Sequence, residues 1–310
     1  MRAAARLIRL IDDGDPGARE ELAILYRHSG KAHIIGFTGA PGVGKSTLVD
    51  AIIVRFRKDG KSVGVLAVDP TSPFSGGAIL GDRVRMQRHF LDEGVFIRSL
   101  ATRGQFGGLT RSTADAVVVL DAMGKDVIIV ETVGVGQDEV DIAQNAHTTV
   151  LVTIPGMGDD IQAIKAGLME IGDVIVVNKA DREGAAKTVR EMRFMLHMSM
   201  DRHLDSKWEQ PIVETVANAD RGIAELYEAI LRHWAYLRDH SHQELQSVER
   251  SRIRKQVIDL LNEIVMRRVM DELDATSNLD DLVDQICRRE TDPYHVSVDL
   301  ADHFLRGAKS

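Results

Sequence analysis

Gly39-Ala40-Pro41-Gly42-Val43-Gly44-Lys45-Ser46-Thr47 is the stretch on which the fold of this chain turns. It meets the phosphate-binding pattern G-x-x-x-x-G-K-[ST] at every fixed position. The glycines let backbone N–H groups turn inward onto phosphate oxygens. Lys45 can set a point charge between the β- and γ-phosphates, and the Ser46 hydroxyl can ligate Mg²⁺. The flanks agree. Apolar patterning predicts a buried strand over 32–38 and a helix over 48–56. Phosphates then sit on a helix N-terminus, where the dipole and free amides favour anions. A glycine-rich turn without a ligand is the plain alternative, and the strand before and helix after it argue against that.

Further along, Asn178-Lys179-Ala180-Asp181 follows an apolar strand predicted over 173–177. This N-K-x-D string names the base. The Asp181 carboxylate can accept from N1–H and the exocyclic amine of guanine. Adenine offers no donor at either place and would leave the carboxylate unpaired. Asn178 can tie this loop to the phosphate loop, and the Lys179 stem can cover the base. Thr215-Val216-Ala217, after a strand over 211–213, can supply a base-side backbone contact through Val216 and Ala217. The nucleotide is therefore GTP or GDP rather than ATP.

Between these segments lie the groups that sense the γ-phosphate. A strand over 125–130 is followed by Glu131-Thr132-Val133-Gly134. Glu131 stands where Asp is usual in such loops. It can hold Mg²⁺ through a water, since Mg²⁺ keeps several waters and needs few protein carboxylates. Gly134 can bring its N–H to the γ-phosphate. Asp69, at the end of a strand over 62–68, and Asp82, in a glycine-rich segment, are further metal candidates. A helix cap or turn is the plain role for either.

Composition bounds the rest. A chain of 310 residues accommodates one α/β domain with flanking helices. Strands and helices alternate from Ile34 to Ile230, which predicts a mostly parallel sheet flanked by helices, with ligands at the strand carboxyl ends. Net charge is −8, with no basic run, which argues against a nucleic-acid partner. No apolar stretch reaches membrane length and no secretory leader is evident, so a cytoplasmic, non-membrane protein is expected. The lone Cys287 allows no internal disulfide framework. His240-Ser241-His242 reads as a linker rather than a zinc site. Met192, Met195, Met198 and Met200 read as helix core and filler. Helical spacing before Lys31 predicts an N-terminal helical extension over 1–30, ahead of a nucleotide domain over 31–238. Beyond it, Ile253, Val257, Leu260, Leu261, Ile264, Val265 and Val269 form a stripe on a helix predicted over 243–273. Further helices are expected over 279–289 and from about Tyr294. Such a stripe either packs on the chain's own globule or meets a partner surface, and 239–310 is read as a dimerisation arm.

These strings resemble the MeaB/MMAA/ArgK group of P-loop GTPases, of the SIMIBI class. The resemblance is carried by 68–83, by Arg98-Ser99-Leu100-Ala101-Thr102-Arg103-Gly104, by Val130-Glu131-Thr132-Val133-Gly134-Val135-Gly136-Gln137 and by 158–167. It runs from about Ala3 to Asp220 and resumes at Thr291-Asp292-Pro293-Tyr294. It implies a metallochaperone GTPase serving an adenosylcobalamin-dependent acyl-CoA mutase, and a homodimer. It also marks Asp159, Asp160 and Lys165 as a third switch that relays nucleotide state to the mutase. Two departures stand out: Gln105-Phe106 where His-Leu is expected, and the less recognisable stretch after Asp181.

Val135 follows Gly134 directly, where many GTPases carry a glutamine that orients water. An apolar side chain cannot do this, so slow intrinsic turnover, open to stimulation by a partner, is expected. Arg83 and Arg103 are candidates for an arginine finger. Alternatives are a nickel-delivering metallocentre GTPase, which lacks any His-rich or Cys-x-x-Cys store here, and a scaffold with a dead GTPase. The older view of such proteins as transport ATPases finds no membrane feature.

Overall fold

The computed structural model describes residues 1–13, 15, 17–69, 86–101, 111–132, 142, 145–156, 171–200, 208–239, 242–276 and 278–307. Seven strands pair in parallel in the order β3-β2-β4-β1-β5-β6-β7. They are β1 (His33–Thr38), β2 (Val63–Asp69), β3 (Val95–Ala101), β4 (Val127–Thr132), β5 (Thr148–Thr153), β6 (Val174–Asn178) and β7 (Ile212–Thr215). The inner strands β1, β4, β5 and β6 are buried at every position. This is why they read as unbroken apolar runs rather than alternating ones: helices cover both faces of a parallel sheet.

The helices are α1 (Arg2–Asp12), α2 (Ala18–Tyr26), α3 (Lys45–Lys58), α4 (Arg111–Ala122), α5 (Ala185–Met200), α6 (Ile223–Asp239), α7 (His242–Thr276), α8 (Asn278–Cys287) and α9 (Pro293–Gly307). On one face, α3 and α6 pack on β1, β5 and β6 around Ile35, Phe37, Ile52, Phe56, Val150 and Leu226. On the other, Ala4 and Ile8 of α1 join Ile34, Leu66, Ile128 and Leu120. Met192 and partly buried Met195 of α5 pack on Leu151 and Ile175, in the core role expected of them. The Asp121 carboxylate accepts from the N–H groups of Gly30, Lys31 and Ala32 and so fixes the chain's entry into β1.

Several boundaries differ from the sequence reading. Glu131, Thr132 and Asn178 lie inside β4 and β6, not after them. Their backbones remain paired because the neighbouring strands run equally far: Phe37 is in register with Glu131, and Asn178 with Thr215. The helix after the phosphate loop begins at Lys45, three residues before the first apolar position, because Gly44 caps it at φ 97°. His242 opens α7 rather than a linker. Among the described residues no helix is long and apolar enough to cross a membrane.

The chain forms two compact units, Met1–Arg252 and Ile253–Ser310, so the division falls within α7. The second unit holds the rest of α7 with α8 and α9. On α7, Val257, Ile258, Leu261, Val265 and Met266 are exposed. Cys287 is a free, exposed thiol at the end of α8.

Candidate nucleotide site

β1 lies between β4 and β5, so the carboxyl ends of these strands surround the phosphate loop. The loop needs glycine at two places for distinct reasons. Gly39 has φ 136°, and a Cβ there would stand 2.1 Å from the Val152 carbonyl oxygen. Gly44 has φ 97°, and its Cβ would stand 2.4 Å from Asn178 Nδ2. Any side chain at either position would push β5 or the base loop away from the phosphates.

Lys45 and Ser46, the first residues of α3, are both buried. The Lys45 ammonium donates to the carbonyl oxygens of Gly39 at 2.6 Å and Ala40 at 3.0 Å. It is thus held inside the loop that it serves. A phosphate must compete with those carbonyls, and it brings a full negative charge where they bring only dipoles. Ser46 Oγ donates to Glu131 Oε1 at 2.5 Å, and Glu131 is 5 % exposed. Glu131 thus meets the phosphate loop at the serine expected to touch metal.

Asn178 joins the two loops. Its Nδ2 donates to the Val43 carbonyl at 2.8 Å. Its Oδ1 accepts from Thr215 Oγ1 at 3.1 Å and from the Ala217 N–H at 3.3 Å. All three of these hydrogen bonds of the buried amide run to the phosphate loop or to the base-side turn. Lys179 adopts φ 54° and donates from Nζ to Gly42 O at 2.7 Å, so its stem runs alongside the loop. Ala180 N–H bonds Thr215 O. Asp181 follows in the exposed turn, with its side chain open to solvent. Val216 pairs with Arg221 in an isolated bridge and leads into a short turn of helix at Ala217–Ala219. Pro41 and Thr47 complete the loop, Pro41 exposed and Thr47 half-buried.

Thr215 escaped the sequence reading as a side-chain contributor. Its hydroxyl holds the face of Asn178 that the phosphate loop does not. A polar residue ending the strand beside β6 is the only signal that could have pointed to it. Asp69 ends β2 as expected, but its side chain is not among those described. Asp82, Gly134 and Lys165 lie outside the described residues, as do Arg83, Arg103 and Val135.

Comparison with known proteins gives the family. A family model described as "Methylmalonyl Co-A mutase-associated GTPase MeaB" matches residues 4–278. This chain belongs to the MeaB family. A Pyrococcus horikoshii protein named as a GTPase is 50 % identical over 94 % of this chain and 91 % of its own length. A Pyrococcus abyssi protein named likewise is 47 % identical over 100 % of this chain and 94 % of its own. A solved structure titled "LAO/AO transport system kinase" is similar with a TM-score of 0.66 and 25 % identity, covering 97 % of this chain and 92 % of that one. As a MeaB-family member this chain is a P-loop GTPase that binds GTP and GDP.

Proposed function

We propose that this GTPase gates cobalamin cofactor loading and protects or reactivates an adenosylcobalamin-dependent acyl-CoA mutase: methylmalonyl-CoA mutase or a relative such as the 2-hydroxyisobutyryl-CoA enzyme. The family's description as methylmalonyl-CoA mutase-associated carries this reading. The Asn178 brace supports its mechanistic half, because a change at the phosphates can reach the base loop through one buried amide. A metallocentre-assembly role for another metal, or a generic regulatory GTPase, is the alternative.

Phosphoryl transfer depends on positioning and charge neutralisation. The loop amides and Lys45 would cradle the β- and γ-phosphates. Asp181 would select guanine, with Val216 and Ala217 shaping the base-side turn. The hard oxygen donors Ser46 and Glu131, 2.5 Å apart in a buried position, fit Mg²⁺, with Asp69 and Asp82 as further ligands. When bound, Mg²⁺ neutralises charge on the transferring phosphoryl group. Gly134 would sense the γ-phosphate, and Lys165, in the third switch, would relay nucleotide state to the mutase. Val135 leaves the attacking water without an orienting amide, so the chain alone should turn over slowly in the cytoplasm. The exposed apolar face of α7 would be covered by a second copy of the chain in a homodimer.

The test is GTP turnover with and without each candidate mutase. Stimulation of tens of fold is expected, a modest share of what completing a catalytic site in trans delivers. Lys165→Ala should blunt this stimulation and leave GDP affinity near wild type. If no mutase changes the rate and none co-elutes, the chaperone role falls and the GTPase remains.

A further inference from the structure

The two tryptophans of the chain, Trp208 and Trp234, lie in one cluster with three buried histidines. The cluster sits at the N-terminal ends of the strands, across the sheet from the nucleotide loops. His33 opens β1, His147 precedes Thr148 at the start of β5, Asp173 precedes β6, and His233 and Trp234 come from α6. His33 Nε2 is 2.8 Å from Thr148 Oγ1, which is 2.9 Å from His233 Nδ1. His233 Nε2 is 3.4 Å from Asp173 Oδ1. His147 Nδ1 accepts the Ile34 N–H at 3.1 Å. The His33 and His147 rings lie 4.4 Å and 5.1 Å from Trp234, and Trp208 lies 4.8 Å from His233.

This relay has one consistent set of protons when Asp173 is ionised. His233 Nε2–H donates to Asp173, Thr148 O–H donates to His233 Nδ1, and His33 Nε2–H donates to Thr148. His33 Nδ1, which has no hydrogen-bond partner, is then a bare acceptor. That costs less than a buried N–H without a partner. A further proton damages each contact in turn. On His233 it deprives the Thr148 hydroxyl of its acceptor. On His33 it buries an unmatched N–H. On His147 it sets N–H against the N–H of Ile34. The Asp–His–Thr order resembles a nucleophile relay, but Thr148 is 0 % exposed and no substrate can reach it. The ring nitrogens that face one another are already committed to hydrogen bonds, which leaves none converging on a metal. Among the described residues no group of three such side chains is placed to hold one.

We propose that this cluster is an acid-sensitive latch: neutral imidazoles hold the C-terminal part of α6 on the starts of β1, β5 and β6, and protonation releases it while the rest of the fold persists. Opening is local because the first part of α6 has its own anchor, with Ile223, Leu226, Ala229 and Ile230 in the apolar core on α3. Beyond them α6 rests on His233, Trp234 and Leu237.

Burial and the cations around the cluster act in the same direction. Burial lowers all three imidazoles: His33 well below its ordinary value, with His147 and His233 adding repulsion, His147 to about 3 and His233 to about 4. Arg252 of α7 adds to the effect on His147. Arg238 places its guanidinium 6.0 Å over Trp234. Tyr236 packs beside Trp208. These histidines are neutral in the fold but take up protons below about 6.5 when unfolded. Their contribution is therefore complete above that pH and is lost as pH falls toward the folded values. Each can cost up to about tenfold in the closed-to-open ratio per pH unit, and the three together up to about a thousandfold. Asp173 opposes this, since burial pushes its carboxyl up to about 7. A third of its side chain still meets solvent, so that push is moderated and one carboxylate cannot offset three rings.

Because both tryptophans lie in the latch, their emission reads it alone. Emission and far-ultraviolet circular dichroism should be followed from about pH 7.5 to 4. The emission change should come at higher pH than the loss of helical signal and be steeper than a one-proton titration. The double variant His33→Gln, His147→Asn keeps the bonds to Thr148 and Ile34 without the titrating rings. Its transition should be shallower and about a pH unit or more lower. If wild-type emission holds constant until helical signal is lost, or changes only with it, there is no latch. The same follows if the double variant titrates like wild type. Should the double variant fail to fold at pH 7.5, the wild-type comparison decides alone.

Discussion

At the scale of single residues, the proposed site rests on three side chains, two of them with visible partners. Lys45 is held by two loop carbonyls, and its removal deletes a charge from the loop. Lys45→Ala should lower GTP turnover by roughly 10²-fold, as expected for loss of one preorganised charge at a developing anion. Stopped assays with radiolabelled GTP would show it, and turnover equal to wild type would remove Lys45 from the chemistry. Asp181 is free to face a base. Asp181→Asn exchanges an all-acceptor group for a mixed amide and should favour xanthine over guanine nucleotides, with roughly a hundredfold loss in GTP affinity. Calorimetry with GDP and xanthosine diphosphate measures this. Asn178 is the third. Its role as a brace was legible in the N-K-x-D string, but the Thr215 hydroxyl that holds its other side was not. No motif specifies a residue whose only task is to orient another.

At the scale of elements, strand ends decide what reaches the site. The sequence reading ended two strands one or two residues early, at the point where apolar residues give way to Glu131 and Asn178. Ladder pairing continues past that point because backbone hydrogen bonds are indifferent to side-chain polarity. Register then sets Glu131 beside Phe37 and Asn178 beside Thr215. Thr215→Val should leave the ladder intact and cost about 1 kcal/mol of stability, with weaker GDP binding. Urea unfolding and GDP titration separate the two effects. Entry into β1 depends on Asp121 of α4, which serves three successive N–H groups. Asp121→Ala leaves these donors to solvent or unpaired, and a loss of about 2 kcal/mol is expected. A change below about 0.5 kcal/mol in the urea midpoint analysis would show that water replaces the carboxylate without loss.

At the scale of the whole molecule, the order β3-β2-β4-β1-β5-β6-β7 gathers the ends of β1, β4 and β6 around one loop, although Lys45, Glu131 and Asn178 are far apart in sequence. The apolar face of α7 is the second feature at this scale. If a second copy covers it, Val257→Glu with Leu261→Glu should convert a dimer to a monomer in sedimentation equilibrium, with GTP binding retained. A wild-type monomer at micromolar concentration would remove the arm's dimer role. The phosphate-loop and N-K-x-D strings were legible in the sequence alone, because a phosphate cradle and a guanine reader would need particular residues at fixed short spacings, and local strings record them. The parallel sheet was legible for a related reason: strands buried on both faces must be apolar throughout. Tertiary structure alone decided which hydroxyl orients Asn178, which carboxylate caps the entry to β1, and that His33, His147 and His233 meet. Those contacts join residues about 40 to 115 positions apart through strand order and register. Histidines scattered at such distances carry no periodic or motif signal until the sheet brings their strands side by side.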